Sequence, residues 1–310
     1  TQFLSTLKKR IDQYFEDEGL SRYGDGRMAF KTVAMLSLYL APYFLILFGH
    51  LSLSAMWFAA LVMGVGKAGI GTGVMHDANH GSYSSNKRIN ALVARTLNLV
   101  GGHLATWQIQ HNVLHHTYTN IYQHDEDIES VSILRLTPAA DQKPIHRFQH
   151  LYCVFLYGLL TLFWALHKDI RQLGRYDKLG LVRGARGTYT RQLAELLFTK
   201  FLYYVVMLGG PMLFTDLTIG QWLIGFMSMH FVAGLILGLI FQAAHVLEET
   251  EFPVPSDAQT IETEWAIHQV RTSSNFAHGN RFVTWYCGGL NYQIEHHLFP
   301  KISHVHYPNL

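Results

Sequence analysis

Two histidine clusters have the spacing of metal ligands. His76 and His80 are four residues apart, so both side chains project from one face of a helix. His111 and His115 repeat this spacing, and His116 follows directly. A single histidine at a helix end is more often structural than a ligand, but that reading does not explain repeated clusters. The spacing therefore favours a metal site.

A third cluster is an adjacent pair, His296 and His297, in the most specific stretch of the chain, residues 288–300. Neighbouring side chains on a helix diverge by about 100°, so the pair suits two nearby metal ions better than one small site. With His245, at the end of an apolar run, the set contains eight histidines. One zinc ion needs only three or four protein ligands, so this set is enough for two ions. Imidazole suits iron, copper, nickel and zinc alike.

The composition indicates a membrane protein. Of 310 residues, 49% are hydrophobic and only 15% are charged, and the mean hydropathy is +0.10. The formal charge of +2 and the lack of a basic block interleaved with aromatics argue against nucleic acid as a partner. Cys153 and Cys287 are too few for a disulfide framework and are expected to pack in the interior.

Two metals beside an embedded apolar space suggest oxygen activation on a lipid chain, and hence iron.

Apolar runs predict an all-α membrane fold with four spans. Their lengths approach the roughly 20 residues needed to cross the hydrocarbon. A fifth run, 150–166, is expected not to cross, because the histidine clusters must lie on one side of the membrane and an even number of spans must separate them. It is also the least convincing in length, with basic residues on both sides. The predicted spans are 32–48, 55–75, 198–214 and 222–244.

The distribution of basic residues predicts the orientation. Lysine and arginine crowd 8–31, 87–95 and 168–200, whereas 49–54 and 215–221 contain neither. The positive-inside rule then gives two hairpins, with the N-terminus and the histidines on the cytoplasmic side. Segments 76–197 and 245–310 would form a helical cytoplasmic cap that carries a di-metal site. No repeat or linker divides the chain, so 1–310 is expected to be one domain.

Two further features need a structural explanation. Residues 1–27 have helical periodicity and end at a Gly-Asp-Gly turn, which predicts an amphipathic helix at the membrane surface, and 90–100 predicts a half-buried helix. Lys67 lies inside the second span and is expected to reach the interface or face protein or a partner. Glycines around it at 64, 66, 69, 71 and 73 suggest close helix packing or room for a ligand.

The motifs His-Asp-x-x-His, His-x3-His-His and Gln-x-x-His-His closely resemble the three histidine boxes of the membrane fatty acid desaturase superfamily. The resemblance runs from about Gly71 to the C-terminus. Asn-Tyr-Gln-Ile-Glu-His-His-Leu-Phe-Pro is similar to the front-end, linoleoyl-CoA or Δ6-type group, in which Gln replaces the first histidine of the third box. Related sequences usually continue further, so part of the cap is expected beyond Leu310. The resemblance implies a non-haem di-iron centre with the ligands His76, His80, His111, His115, His116, His245, His296 and His297.

The resemblance to this superfamily also implies an activity. Such an enzyme reduces O₂ and removes two hydrogens from adjacent methylenes of a fatty acyl-CoA or acyl-lipid, giving a cis double bond and water. Each turnover needs two electrons, and the sequence contains no haem, flavin, nicotinamide or Cys₄ motif. We therefore expect a separate donor of the cytochrome b5 or ferredoxin type.

Other polar residues near the boxes are candidates for supporting roles. Asp77, Asn112 and Asn275 are expected to hold the outer nitrogens of ligands, or to cap helices. Gln293 is a possible weak ligand, a donor beside the metal or a bystander, and His268 is a possible ninth nitrogen.

The remaining polar residues are expected to have structural roles. The loop that contains Asp125 and Asp127 is expected to be solvated or structural. His304 and His306 are expected to pack in the cap. The remaining histidines are assigned to surface or core positions, and they are His50, His103, His124, His146, His150, His167, His230 and His278.

Three alternatives stay open. A lipid hydroxylase or ketolase could use the same boxes, because they do not determine whether a second hydrogen leaves or oxygen is added. A membrane zinc hydrolase could use His76 and His80 with Asp77 in place of a Glu base, but it would leave five histidines unused. A metal transporter would place its ligands near the bilayer midplane, whereas these lie at its edge.

Overall fold

The computed structural model describes residues 2–129, 132–183, 187–257 and 260–310, which form helices and connecting turns without a β-strand. Short 3₁₀ turns at Pro144–Phe148 and His304–Asn309 supplement the helices. The α-helices are α1 (Gln2–Asp17), α2 (Gly26–Phe48), α3 (Leu53–His80), α4 (Lys87–Ala94), α5 (Thr96–Leu99), α6 (Leu104–Gln108), α7 (Gln149–Gly158), α8 (Leu160–Lys178), α9 (Tyr189–Phe214), α10 (Ile219–His245), α11 (Trp265–Arg271), α12 (Arg281–Tyr286) and α13 (Gln293–Leu298).

Four of these helices, α2, α3, α9 and α10, are long and apolar enough to cross a membrane, as the sequence predicts. Each begins two to nine residues before the predicted span, at a point where a polar side chain caps its first turn. The capping residues, which accept hydrogen bonds from backbone N–H groups there, are Asp25, Ser52, Thr188 and Thr218.

Helix α3 lies between α2 and α10, and its glycines allow the close contact. A β-carbon at Gly64 would lie 2.6 Å from the carbonyl oxygen of Met229 in α10. One at Gly66 would lie 2.6 Å from the backbone nitrogen of Tyr39 in α2. Small residues at such positions let helix backbones approach closely in apolar surroundings. The glycine-rich pattern is therefore explained at these two positions by packing.

The run expected not to cross forms α7 and α8, which are bent by 52° at the break between them. Both helices pack on α10. Gly234 makes this possible, because a β-carbon there would lie 2.5 Å from the carbonyl oxygen of Gly158.

The N-terminal helix is shorter than predicted and is packed on protein. Helix α1 ends at Asp17, and its buried residues, Ile11 and Phe15, contact the C-terminal part of the chain. Their partners there are Tyr292, Ile302 and Tyr307. The predicted helix at 90–100 is two short helices, α4 and α5.

Candidate metal centre

Two helices carry their histidines next to π-helical turns. In α3, a π-helical turn at Ile70–Val74 immediately precedes the turn that bears His76 and His80. Helix α6 continues as a π-helical stretch, Ile109–His115, that contains His111. Such turns are rare, occur frequently at functional sites and contain more residues than an α-helical turn. They therefore change the direction in which the following side chains project.

Four histidines form what we call the first group. One ring nitrogen from each lies within 4.8 Å of those of the others, so together they could hold a metal ion. Within the group, Nε2 of His76 lies 3.0 Å from Nε2 of His111. The group draws on α3, the π-helical stretch and α13, and its members are His76, His80, His111 and His296.

A second group consists of His115, His245 and His297, whose ring nitrogens also lie within 4.8 Å of one another. All three side chains are buried. Gln293 joins them, because its side-chain nitrogen lies 2.8 Å from Nε2 of His245.

His116 lies between the two groups. Its ring centroid is 4.8 Å from that of His296 in the first group and 4.5 Å from that of His297 in the second. Its Nε2 is 3.3 Å from Nε2 of His111. The eight histidines singled out from the sequence therefore lie in one continuous cluster.

Buried partners hold the outer nitrogens of the second group. Nδ1 of His115 lies 3.0 Å from the Asp125 carboxylate, and Nδ1 of His297 lies 2.7 Å from Oε1 of Gln269. Nδ1 of His245 lies 3.0 Å from the carbonyl oxygen of Thr272. Such contacts fix the ring orientation and tautomer, which leaves Nε2 to face inward.

In the first group, Nδ1 of His296 contacts the Tyr307 hydroxyl at 3.2 Å. Nε2 of His80 and of His296 are buried without a hydrogen-bond partner among the described residues, as is Nε2 of His297 in the second group. A buried polar atom normally has a partner, so these nitrogens fit ligands of a metal ion.

Burial controls the charge of these imidazoles. It lowers the pKa of His111 well below its ordinary value, and neighbouring histidines lower it further. His115 differs, because burial lowers its pKa but the carboxylates of Asp125 and Asp127 together more than offset this, so the net pKa is raised. Neutral imidazole is the form that binds a metal, so the low values favour metal binding. Burial and neighbouring histidines likewise lower the pKa of His116, His296 and His297.

The whole chain resembles known desaturases. It matches the fatty acid desaturase family over residues 51–310. The chain belongs to the fatty acid desaturase family. It is 37% identical to the sn-1 linoleoyl-lipid 6-desaturase of Synechocystis sp., in an alignment covering 99% of this chain and 85% of that protein. The enzyme of the same name from Arthrospira platensis is 33% identical, with 99% and 83% covered. The acyl-lipid (8-3)-desaturase of Physcomitrium patens is 32% identical, with 99% and 64% covered.

These comparisons confirm the resemblance drawn from the histidine boxes and identify the protein as a fatty acid desaturase, and therefore an oxidoreductase. The two groups of histidines fit the metal site of such an enzyme. Among its described residues, the desaturase also has four helices apolar enough to span a membrane.

The supporting residues expected from the sequence have other partners. The Asp77 carboxylate of the desaturase lies 2.9 Å from Nδ1 of His304 and accepts a hydrogen bond from the Ser303 hydroxyl. These contacts tie α3 to the C-terminal segment. Asn112 donates to the carbonyl oxygen of Asn79 at 3.0 Å. Asn275 accepts from the backbone N–H of Ile294 and donates to Glu295. It therefore fixes the first turn of α13.

Two acidic residues have a closer relation to the site than expected. Asp125 is fully buried and also accepts the backbone N–H of Asn120 and of Asp127. Asp127 lies close enough to His111 and His115 to form a third candidate metal group with them. Of the two roles expected for this loop, solvated or structural, Asp125 therefore has the structural one. In the sequence, the acidic cluster that begins nine residues after His116 could have indicated a carboxylate close to the histidines.

Two further side chains near the histidine groups are His268 and Trp107. His268 is buried on α11 but belongs to neither group. Its neighbour Gln269 supplies the contact to His297. Trp107, which the sequence did not single out, stacks on His111 with a centroid distance of 4.5 Å.

Proposed function

We propose that this desaturase inserts a cis double bond into a fatty acyl chain with a non-haem di-iron centre, O₂ and two external electrons. The observation that carries the proposal is the pair of histidine groups, which offer buried nitrogens to two neighbouring ions. The reaction balances with two protons: two methylene hydrogens, O₂, two electrons and two protons give one double bond and two waters.

The two groups divide the ligands between two ions. His76, His80, His111 and His296 would hold the first ion, and His115, His245 and His297 the second. His116 lies within reach of either. When bound, the iron pair would supply the reduction of O₂ to an oxidant strong enough to attack an unactivated C–H bond. One zinc ion would leave about half of these ligands unused.

The chain's own residues would prepare the site. Asp125, Gln269 and Thr272 orient three rings so that their Nε2 atoms converge. Burial keeps most of the imidazoles neutral and excludes water, which would otherwise compete for the metals and quench a reactive oxidant. Trp107 holds the ring of His111 by stacking.

The substrate we propose is an acyl chain, already unsaturated, on a glycerolipid. The support is that two relatives at 37% and 33% identity are named linoleoyl-lipid 6-desaturases. An acyl-CoA thioester is the alternative carrier. The new double bond would lie on the carboxyl side of the existing one.

The proposed topology has α2 and α3 as one hairpin and α9 and α10 as the other. The bulk of the polar segments 76–197 and 245–310 would then form a cytoplasmic cap around the metals, within one domain. Basic residues on the segments assigned to this side support the orientation. The electrons would come from a separate cytochrome b5-type or ferredoxin-type donor that docks on the cap.

Expression in a host that lacks polyunsaturated fatty acids, supplied with linoleate and a competent electron donor, tests the proposal. Mass spectrometry of lipid and CoA fractions would locate new double bonds, with His297→Ala as the inactive control. We expect a triene in the lipid fraction. Hydroxylated products would support the hydroxylase reading, and no new product from an iron-loaded protein would refute both.

A further inference from the structure

The turn at residues 99–101 follows α5, and its buried residues, Val100 and Gly101, pack near the middle of long helices of the bundle. Its three carbonyl oxygens accept, in order, hydrogen bonds from Tyr39 at 3.4 Å, Lys67 at 2.6 Å and Lys200 at 2.8 Å. These donors belong to α2, α3 and α9. Irregular backbone at such depth is tolerated only where protein groups satisfy it. These side chains therefore keep the turn in place.

Nζ of Lys67 has three polar neighbours. Besides the carbonyl oxygen of Val100, its Nζ lies 3.3 Å from the Tyr203 hydroxyl and 3.5 Å from Nε2 of His230. Lys67 is 3% exposed, so it does not reach the interface. A lysine ammonium has three donors and no acceptor, and burying it without partners is costly. The position of Val100 is therefore coupled to two further helices.

Lys200 makes an equivalent set of three contacts. Its Nζ lies 2.8 Å from the carbonyl oxygens of Gly101 and Trp164 and 2.7 Å from the carboxylate of Asp169. Asp169 in turn accepts a hydrogen bond from Thr106, in α6, at 2.7 Å. Lys200 thus reaches α6 by two routes, through the turn before it and through Asp169.

Gly101 is adapted to this turn. Its φ is +88°, a conformation that side-chain-bearing residues rarely adopt, and a β-carbon would lie 3.0 Å from the ring of Tyr203. The turn therefore has one well-defined position against α9.

This turn leads into α6 and the π-helical stretch, which carries His111 and His115 and is followed directly by His116. His111 belongs to the first group and His115 to the second, with His116 between them. A shift of the turn would therefore disturb both groups together. We propose that Lys67 and Lys200 are positioning residues that set the placement of the histidine-bearing segment 104–118. The inference rests on the proposed metal centre.

The test compares purified Lys67→Met and Lys200→Met proteins with Lys178→Met, a matched control that alters an exposed lysine of α8. We expect iron affinity to fall roughly tenfold or more in the two lysine variants, as for loss of other ligand-orienting groups. Amide hydrogen exchange should become faster in 104–118 while α10 keeps its protection. The Lys178→Met protein should resemble the wild type in both measurements.

A second variant covers the case in which Lys200→Met fails to fold because Asp169 is left unpaired. Lys200→Met with Asp169→Asn removes both charges and should show the same iron loss. Unchanged iron binding and unchanged exchange in 104–118 would overturn the inference, as would loss of protection spread evenly over the bundle. The amide hydrogen exchange measurement does not require bound metal. An iron-loaded wild type that makes no double bond would refute the proposed function and leave this inference standing.

Discussion

The side-chain nitrogen of Gln293 lies 2.8 Å from Nε2 of His245, at the inner face of the second histidine group. Two ligands of one ion with metal–nitrogen bonds of about 2 Å are themselves roughly 3 Å apart. The amide thus occupies the place of a neighbouring ligand. Its oxygen is buried without a hydrogen-bond partner among the described residues, so a rotated amide would offer that oxygen to a metal.

Replacing Gln293 tests this relationship. We expect Gln293→Leu to weaken metal binding by the second group about 10–100-fold, because a polar atom at the ion is lost. Gln293→His should retain binding. Metal titration of the purified proteins would measure both, with Gln142→Leu, an exposed position, as control. Wild-type binding in Gln293→Leu would make this residue a bystander.

The division into two groups predicts two separable ions. His80→Ala should lose the ion of the first group and His245→Ala that of the second, since each group has few ligands to spare. Elemental analysis of iron per chain would show the loss of one of the two ions in each variant. His124→Ala, which alters an exposed histidine, should keep both. A wild type holding a single zinc ion would instead favour the hydrolase reading.

Asp125 should matter for metal affinity although it need not touch the metal. Asp125→Asn removes the charge that holds Nδ1 of His115 but keeps the side-chain shape. We expect about a 10–100-fold loss of affinity in the second group. The matched control is Asp141→Asn, at an exposed position. Equal affinities in the two variants would show that the carboxylate serves only the loop.

Close packing of α3 predicts the effect of a small substitution. Gly66→Ala should lower the free energy of unfolding by about 1–3 kcal/mol, because the new β-carbon would meet the backbone of Tyr39 and the helices would have to separate. Gly220→Ala, which meets no atom within 4 Å, should be neutral or slightly stabilising. Thermal unfolding in detergent would compare them. Similar losses in both variants would contradict the packing account.

The sequence by itself determined the helical membrane class and the histidine set. Both depend on local patterns: the length of an apolar run, and histidine spacings that share a helix face. The Gln-x-x-His-His motif was equally local and pointed to the correct family.

Only the tertiary structure decided how these residues divide. His111 and His115, four apart on one stretch, belong to different groups, because the histidines that complete each group come from distant helices. The same holds for the partners that orient the rings, such as Gln269, which is 28 residues from His297. Lys67 illustrates the limit: its charge was visible in the sequence, but its contact with Val100, across 33 residues, depends on helix packing. Spacing along the chain does not encode such contacts.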